Sequence, residues 1–209
     1  MVLAKGFYQQ RVKLRAEYAN ARFDEDGSAD DASADKSEAV SFSLEARPFD
    51  DLVLMDQHAD ILFGASYNKI DTFFESLANP GLSPDRDVIQ AYTNLYWGAL
   101  SSSLQLLYET NNVDDLEGIP TNRMRSLSLN STYSFNQQKG RLSWLGAPYL
   151  GFTGFVTEVD REDTPTNYEG LDTDNSSDSI TISGGSNYRN MYWSTAYTLS
   201  KFDDDANNT

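Results

Sequence analysis

The stretch SLSLNSTYSF, residues 126–135, changes character at every residue. Leu127, Leu129, Ser131, Tyr133 and Phe135 fall on one side of an extended chain. Ser126, Ser128, Asn130, Thr132 and Ser134 fall on the other. Successive side chains of an extended backbone point in opposite directions, so this alternation specifies a β-strand with two unlike faces. The pattern recurs along the chain. From Tyr8 to Phe23, Val12, Leu14, Ala16 and Tyr18 alternate with Lys13, Arg15 and Glu17. Val40, Phe42, Leu44 and Ala46 alternate with Ser41, Ser43, Glu45 and Arg47. A chain made of such strands must place its greasy face against a protein core or against lipid.

The connections carry a second pattern. About nine strands are expected, joined at 24–38, 48–51, 71–86, 100–102, 112–121, 136–140, 159–178 and 189–190. Read this way, long and short connections alternate. In an up-and-down antiparallel meander every second connection lies at the same end, so one end would hold all the long loops. Those loops hold most of the acid, including Asp24, Asp26, Asp30, Asp31 and Asp35 in one and Asp160, Glu162, Asp172, Asp174 and Asp178 in another. Arg47, Lys139, Arg141 and Arg189 sit beside the short turns. Within 71–86, Asp71 is placed to cap a short helix ending before Pro80. Val88, Tyr92, Leu95 and Ala99 also fit a helical stripe behind a Ser83-Pro84-Asp85 cap. Residues 87–109 therefore read as either a hairpin or a helix, with the β-rich flanks favouring the hairpin.

Charge and composition narrow the classes. Thirty-two Asp and Glu against 16 Lys and Arg give a net charge of -16, which repels nucleic acid and anionic surfaces. The absence of cysteine excludes disulfides, thiolate metal sites and a cysteine nucleophile. No run approaches the roughly 18 apolar residues of a membrane-spanning helix. That leaves open a membrane β-barrel, whose strands are only half apolar. The N-terminal MVLAKGFYQQRVKLR has no apolar core of a secretory signal. A soluble sandwich has no need to sort its loops by length and charge. A transmembrane barrel has short periplasmic turns, long outer loops and two-faced strands of about 10 residues.

SLSLNSTYSF and NMYWSTAYTLSKFDDD resemble hairpins of Gram-negative outer-membrane β-barrels of the porin-like superclass, and the resemblance covers most of the chain. It implies an all-β fold, an antiparallel up-and-down meander forming part of a transmembrane β-barrel in the bacterial outer membrane. It further implies a pore or membrane anchor, with outer-membrane lipid and lipopolysaccharide as partners. Barrels of this superclass end in a strand with a terminal aromatic residue, whereas this chain ends Asn207-Asn208-Thr209. Residues 1–209 are accordingly expected to be one β-barrel region within a larger barrel.

On that reading Val40, Phe42, Leu44, Leu127, Leu129 and Tyr133 face lipid. Arg11, Lys13, Arg15, Ser128, Asn130 and Thr132 line the lumen, the basic row favouring anions. Tyr92, Tyr96, Trp97, Trp144, Tyr149, Tyr188, Tyr192 and Trp193 are candidates for the aromatic girdles at the lipid headgroups. DEDGSADD and DTDNSSDS place Asp24, Asp26, Asp172 and Asp174 as oxygen ligands for calcium, without the glutamate that completes an EF-hand loop. SGGS (183–186) and GFTG (151–154) read as bulges or room for a bulky neighbour. His58, the only histidine, lies between Asp56 and Asp60, and an outer-membrane enzyme would rest on it alone. No enzymatic activity and no cofactor are expected. The rival is a secreted, soluble all-β ligand-binding module, a sandwich or lipocalin-like barrel, in which the greasy faces would meet a core.

Overall fold

The computed structural model describes residues 2–7, 11–23, 35–49, 51–75, 83–136, 140–170 and 172–206. They form a single antiparallel sheet. Its strands are β1 Val2–Phe7, β2 Val12–Phe23, β3 Asp35–Ala46, β4 Leu52–Leu54, β5 Gln57–Ile70 and β6 Arg86–Trp97. They continue as β7 Leu100–Thr110, β8 Thr121–Ser134, β9 Ala147–Asp163, β10 Asp174–Tyr188 and β11 Met191–Asp204. Neighbours in sequence are neighbours in space along the order β1-β2-β3-β5-β6-β7-β8-β9-β10-β11, and β4 pairs only with β5. The fold is therefore an all-β up-and-down meander, with ten strands on its path rather than about nine. The sheet is open: β1 and β11 are its edges.

Several boundaries differ from the sequence reading, each for a physical reason. Residues 87–109 lie in a hairpin, β6 and β7, not a helix. Its turn is at Gly98-Ala99, not 100–102, because Gly98 takes a φ of 54°. The added strand β1 pairs with the turn-end half of β2, which begins at Val12 rather than Tyr8; residues 8–10 lie outside the described residues. Asp71 does not begin a helix. Its backbone N–H bonds the Glu38 carbonyl at 3.0 Å and its carboxylate accepts the Glu38 N–H at 2.7 Å, tying the end of β5 to β3. The rest of the expected helix, 76–79, lies outside the described residues.

The acidic loop at 159–178 shrinks to 164–173. Strand pairing persists through Asp160 and Asp174 because cross-strand ion pairs replace apolar alternation there: Arg123 meets Asp160 at 2.9 Å and Arg125 meets Glu158 at 3.8 Å. The loop at 24–38 likewise gives way to β3 from Asp35. At the opposite end the connections 47–56 and 135–146 are longer than read. The first folds back as β4, and the second contains the 3-10 helix Gly140–Leu145. Strict alternation of loop length is thus corrected: 135–146 is longer than 111–120 or 164–173. The sorting of acid to one end remains. The end bearing 71–85, 111–120 and 164–173 is called the loop end below, and the other the turn end.

Candidate functional site

The register assigns every strand residue to one of two faces. Starting from Leu14, the cross-strand partners run Leu44, Ala65, Ala91, Leu106, Leu127 and Val156. Two residues toward the turn end, the row at β7 to β11 reads Leu104, Leu129, Gly154, Ile180 and Leu199. The expected lipid-facing residues Val40, Phe42, Leu44, Leu127, Leu129 and Tyr133 all fall on this apolar face. Lys13, Arg15, Ser128, Asn130 and Thr132 all fall on the opposite face, and Arg11 lies in the turn before β2.

No second layer covers the apolar face among the described residues. Leu106 is 50% exposed, Ile182 59% and Leu199 59%, and among the described residues the one buried large apolar side chain is Phe74. Large apolar side chains left in water forfeit on the order of 25 cal/mol per Å2. Two of its hydroxyls satisfy each other: Ser102 and Ser131 lie 2.7 Å apart.

The opposite face is lined by hydroxyls and amides that pair across strands, Ser41 with Asn68 at 2.7 Å and Thr181 with Thr198 at 2.8 Å. The expected anion-favouring row is offset there: Lys13 meets Glu45 at 3.6 Å and Arg15 pairs with Glu17. Glu45 also accepts a hydrogen bond from the Tyr92 hydroxyl at 3.0 Å. Tyr92 reaches it by lying over Gly64, where an added Cβ would stand 2.1 Å from the Tyr92 Cζ. Gly64→Ala is therefore expected to displace Tyr92, break its bond to Glu45 and cost about 1–2 kcal/mol. Tyr92→Ala made in the same chain should absorb most of that cost in a double-mutant cycle of denaturant unfolding.

The apolar face ends in charge at the loop end, and the boundary is oblique. The first charged residue on that face is Glu38 in β3, Lys69 in β5, Asp87 in β6, Arg125 in β8, Glu158 in β9, Asp178 in β10 and Lys201 in β11. Lys69 pairs with Val40, two residues nearer the turn end than Glu38, and is level with Asp87. Arg125, opposite Tyr108, stands two residues further and is level with Glu158. Asp178, opposite Val156, stands two further again and is level with Lys201. The boundary climbs six residues in seven strand-to-strand steps. At ~3.3 Å per residue and ~4.8 Å between strands, this is a strand tilt of about 30° from the normal to the boundary.

Aromatic residues mark the turn-end limit of the same face: Trp97 in β6, Tyr133 in β8, and Tyr188 and Trp193 in β10 and β11. Tyr18, Tyr67 and Tyr108 mark the loop end. The expected girdle is corrected in part. Tyr92, Tyr96, Tyr149 and Tyr192 lie on the hydroxyl face, because they occupy the alternate positions of their strands, and Trp144 lies in the 3-10 helix.

The loop end is internally ordered. Asp85 accepts hydrogen bonds from the Thr72 hydroxyl and the Val113 N–H, both at 2.9 Å, and Asp114 accepts from the Thr72 N–H at 3.0 Å. The Arg161 side chain, 5% exposed, holds 164–173 together. It meets Asp172 at 3.5 Å, donates to Thr173 Oγ1 at 3.1 Å, and lies 4.7 Å from the Tyr168 ring centroid. Asp172 is thereby committed to a guanidinium, and Asp174 opens β10 as a strand residue. Among the described residues no group of three or more His, Asp and Glu could hold a metal ion, and Asp24 and Asp26 lie outside them. Arg161→Met is expected to loosen this loop, raising its cleavage rate by trypsin-independent proteases such as thermolysin at least several-fold while β8–β11 stay folded.

At the turn end, His58 lies with Asp56, Asp60 and Asp51 in a half-open cleft of about 1000 Å3 on the hydroxyl side, together with Arg11, Lys13 and Arg47. Its carboxylates and cations are interspersed, and His58 is exposed. Comparison with family models, curated proteins and solved structures yields no match.

Proposed function

We propose that this chain forms part of the wall of a transmembrane β-barrel in the bacterial outer membrane. Its apolar face meets lipid and its hydroxyl face meets a wet lumen. The oblique boundary carries the reading. Between the charged limit and the aromatic limit β6, β8, β10 and β11 each offer nine to eleven residues, both limits counted, the length of a membrane-spanning strand. At a tilt of about 30° this projects to ~25 Å, the height of an outer-membrane apolar band. A layer packed on a protein core has no reason to end in a straight line from β3 to β11, across eight strands.

The chain then works as a pore wall or a membrane anchor, with outer-membrane lipid and lipopolysaccharide on its outside. Acid gathered at the loop end attracts cations to that mouth, and the paired charges of β2 and β3 leave the lumen wall near neutral, so small polar solutes meet no fixed barrier of one sign. No step of covalent chemistry is assigned to His58.

Reconstitution into liposomes tests this. Brominated lipids should quench Trp97 and Trp193 emission, and release of small trapped solutes with a size limit would mark a pore, whereas quenching with retention would mark an anchor. A protein that neither partitions into liposomes nor is quenched would overturn the proposal and leave the soluble β module.

A further inference from the structure

The apolar face is not flat at the turn end of β8–β11. Gly184 pairs there with Thr195 on one side and Leu150 on the other, and glycine leaves the sheet low at that row. Two residues further on the same face, the Ser186 hydroxyl donates to the Leu145 carbonyl. The 135–146 connection therefore lies against the apolar face and forms a raised edge on it. The result is a groove of about 570 Å3, walled by Phe135, Leu145 and Leu150 on one side and by Trp193 and Tyr197 on the other. That volume is in the range of small-molecule sites. From Tyr197 to Trp193 the groove runs four residues, ~13 Å along the strand.

A cation stands beyond its turn-end mouth. The Arg189 guanidinium lies 5.2 Å from the Tyr188 ring centroid, and Tyr188 belongs to the apolar face, so the charge is held on that side of the sheet. Arg189 is exposed and has no carboxylate partner among the described residues. It lies three residues past the Ser186–Trp193 row, ~10 Å further along the strand. The wider surroundings are basic in a chain of net charge -16. Stretches 126–157 and 179–202 supply the apolar band of β8–β11 and both of its turn-end connections. They contain no Asp or Glu, and they hold Lys139, Arg141, Arg189 and, at the loop end, Lys201. The turn end of β4–β6 has the opposite character, with Asp51, Asp56 and Asp60.

We propose that this groove holds one anionic phospholipid of the turn-end leaflet. An acyl chain lies over Gly184 between Leu150 and Tyr197, and the phosphate meets Arg189 through charge-assisted hydrogen bonds. Trp193 and Tyr188 stand between chain and phosphate, the level at which aromatic side chains meet headgroups. The proposal rests on the membrane reading and adds to it a site that selects among lipids by charge.

Brominated lipids test it in phosphatidylcholine vesicles holding a minor fraction of phosphatidylglycerol. The first protein keeps Trp193 alone, through Trp97→Phe and Trp144→Phe. Brominated phosphatidylglycerol should quench it about 3–5-fold more per molecule than brominated phosphatidylcholine does. The second keeps Trp97 alone, at the acidic turn end of β6, and should show no such preference. Arg189→Gln and Gly184→Ile should each reduce the preference at Trp193 to that at Trp97. An added Cβ at Gly184 already stands 3.4 Å from Leu150 Cδ2, so isoleucine fills the groove while keeping the face apolar and suited to a strand. A preference that survives either substitution would overturn the proposal. So would shielding of Trp193 from both lipids while Trp97 is quenched, since protein would then cover the groove. Equal quenching of Trp193 by both lipids defeats this inference alone; no quenching at either tryptophan defeats the membrane reading beneath it.

Discussion

Leu129→Arg is expected to destabilise the lipid-embedded protein by about 2–4 kcal/mol, the cost of an arginine near the midplane of an outer-membrane barrel. Leu129 lies midway between Arg125 and Tyr133 on the apolar face, with Leu104 and Gly154 as its cross-strand partners. Asn130→Arg, one residue along and on the hydroxyl face, should cost less than about 1 kcal/mol, because its head group remains in water. Leu129→Ala separates lipid from core. Lipid can fill the space of a lost side chain, so the cost should stay near 1 kcal/mol. In a packed core the same change costs about 2–5 kcal/mol because a cavity remains. Denaturant unfolding from lipid vesicles reads all three variants.

Gly146→Ala is expected to cost about 3 kcal/mol or more. Gly146 closes the 3-10 helix Gly140–Leu145 with a φ of 65°, a region that disfavours any residue with a Cβ by about 1–2 kcal/mol. That Cβ would also stand 2.1 Å from the Asn187 carbonyl oxygen and 3.0 Å from the Tyr188 Cα. Both are backbone of the β10 strand, so neither can rotate away, and overpacking adds about 1–3 kcal/mol. The seam it guards includes the hydrogen bond from the Ser186 hydroxyl to the Leu145 carbonyl. Gly118→Ala is the control: its φ is 95° but no atom lies within 4 Å of the added Cβ, so only the torsional part should appear. A loss at Gly146 no larger than at Gly118 would contradict the docking of the 135–146 connection against β10.

The faces were legible in the sequence because period two is dictated by the backbone itself. Leu127 and Asn130 could be assigned to opposite sides before any pairing was known. The two-residue turn at Arg189-Asn190 was legible for the same reason, since alternation runs up to it on both sides. Strand ends were less so. Asp160 and Glu162 look like loop residues alone and become strand residues only when Arg123 stands across from them. The partners that neutralise Lys13 and Arg15 were also hidden: Glu17 is adjacent in sequence, but Glu45 and Tyr92 arrive from other strands. The oblique boundary needed the register of seven strand pairs, and no single segment contains it.

The most direct test of the membrane reading uses the absence of native cysteine. Single cysteines placed along β8 at Leu127, Ser128, Leu129, Asn130, Thr132 and Tyr133 would each be exposed in intact membranes to a charged, water-soluble thiol reagent. A period of two is expected: Ser128→Cys, Asn130→Cys and Thr132→Cys react, while Leu127→Cys, Leu129→Cys and Tyr133→Cys react only with a lipid-soluble maleimide. Uniform reaction with the charged reagent at all six positions, or protection of all six from both reagents, would contradict a strand with lipid on one face and water on the other.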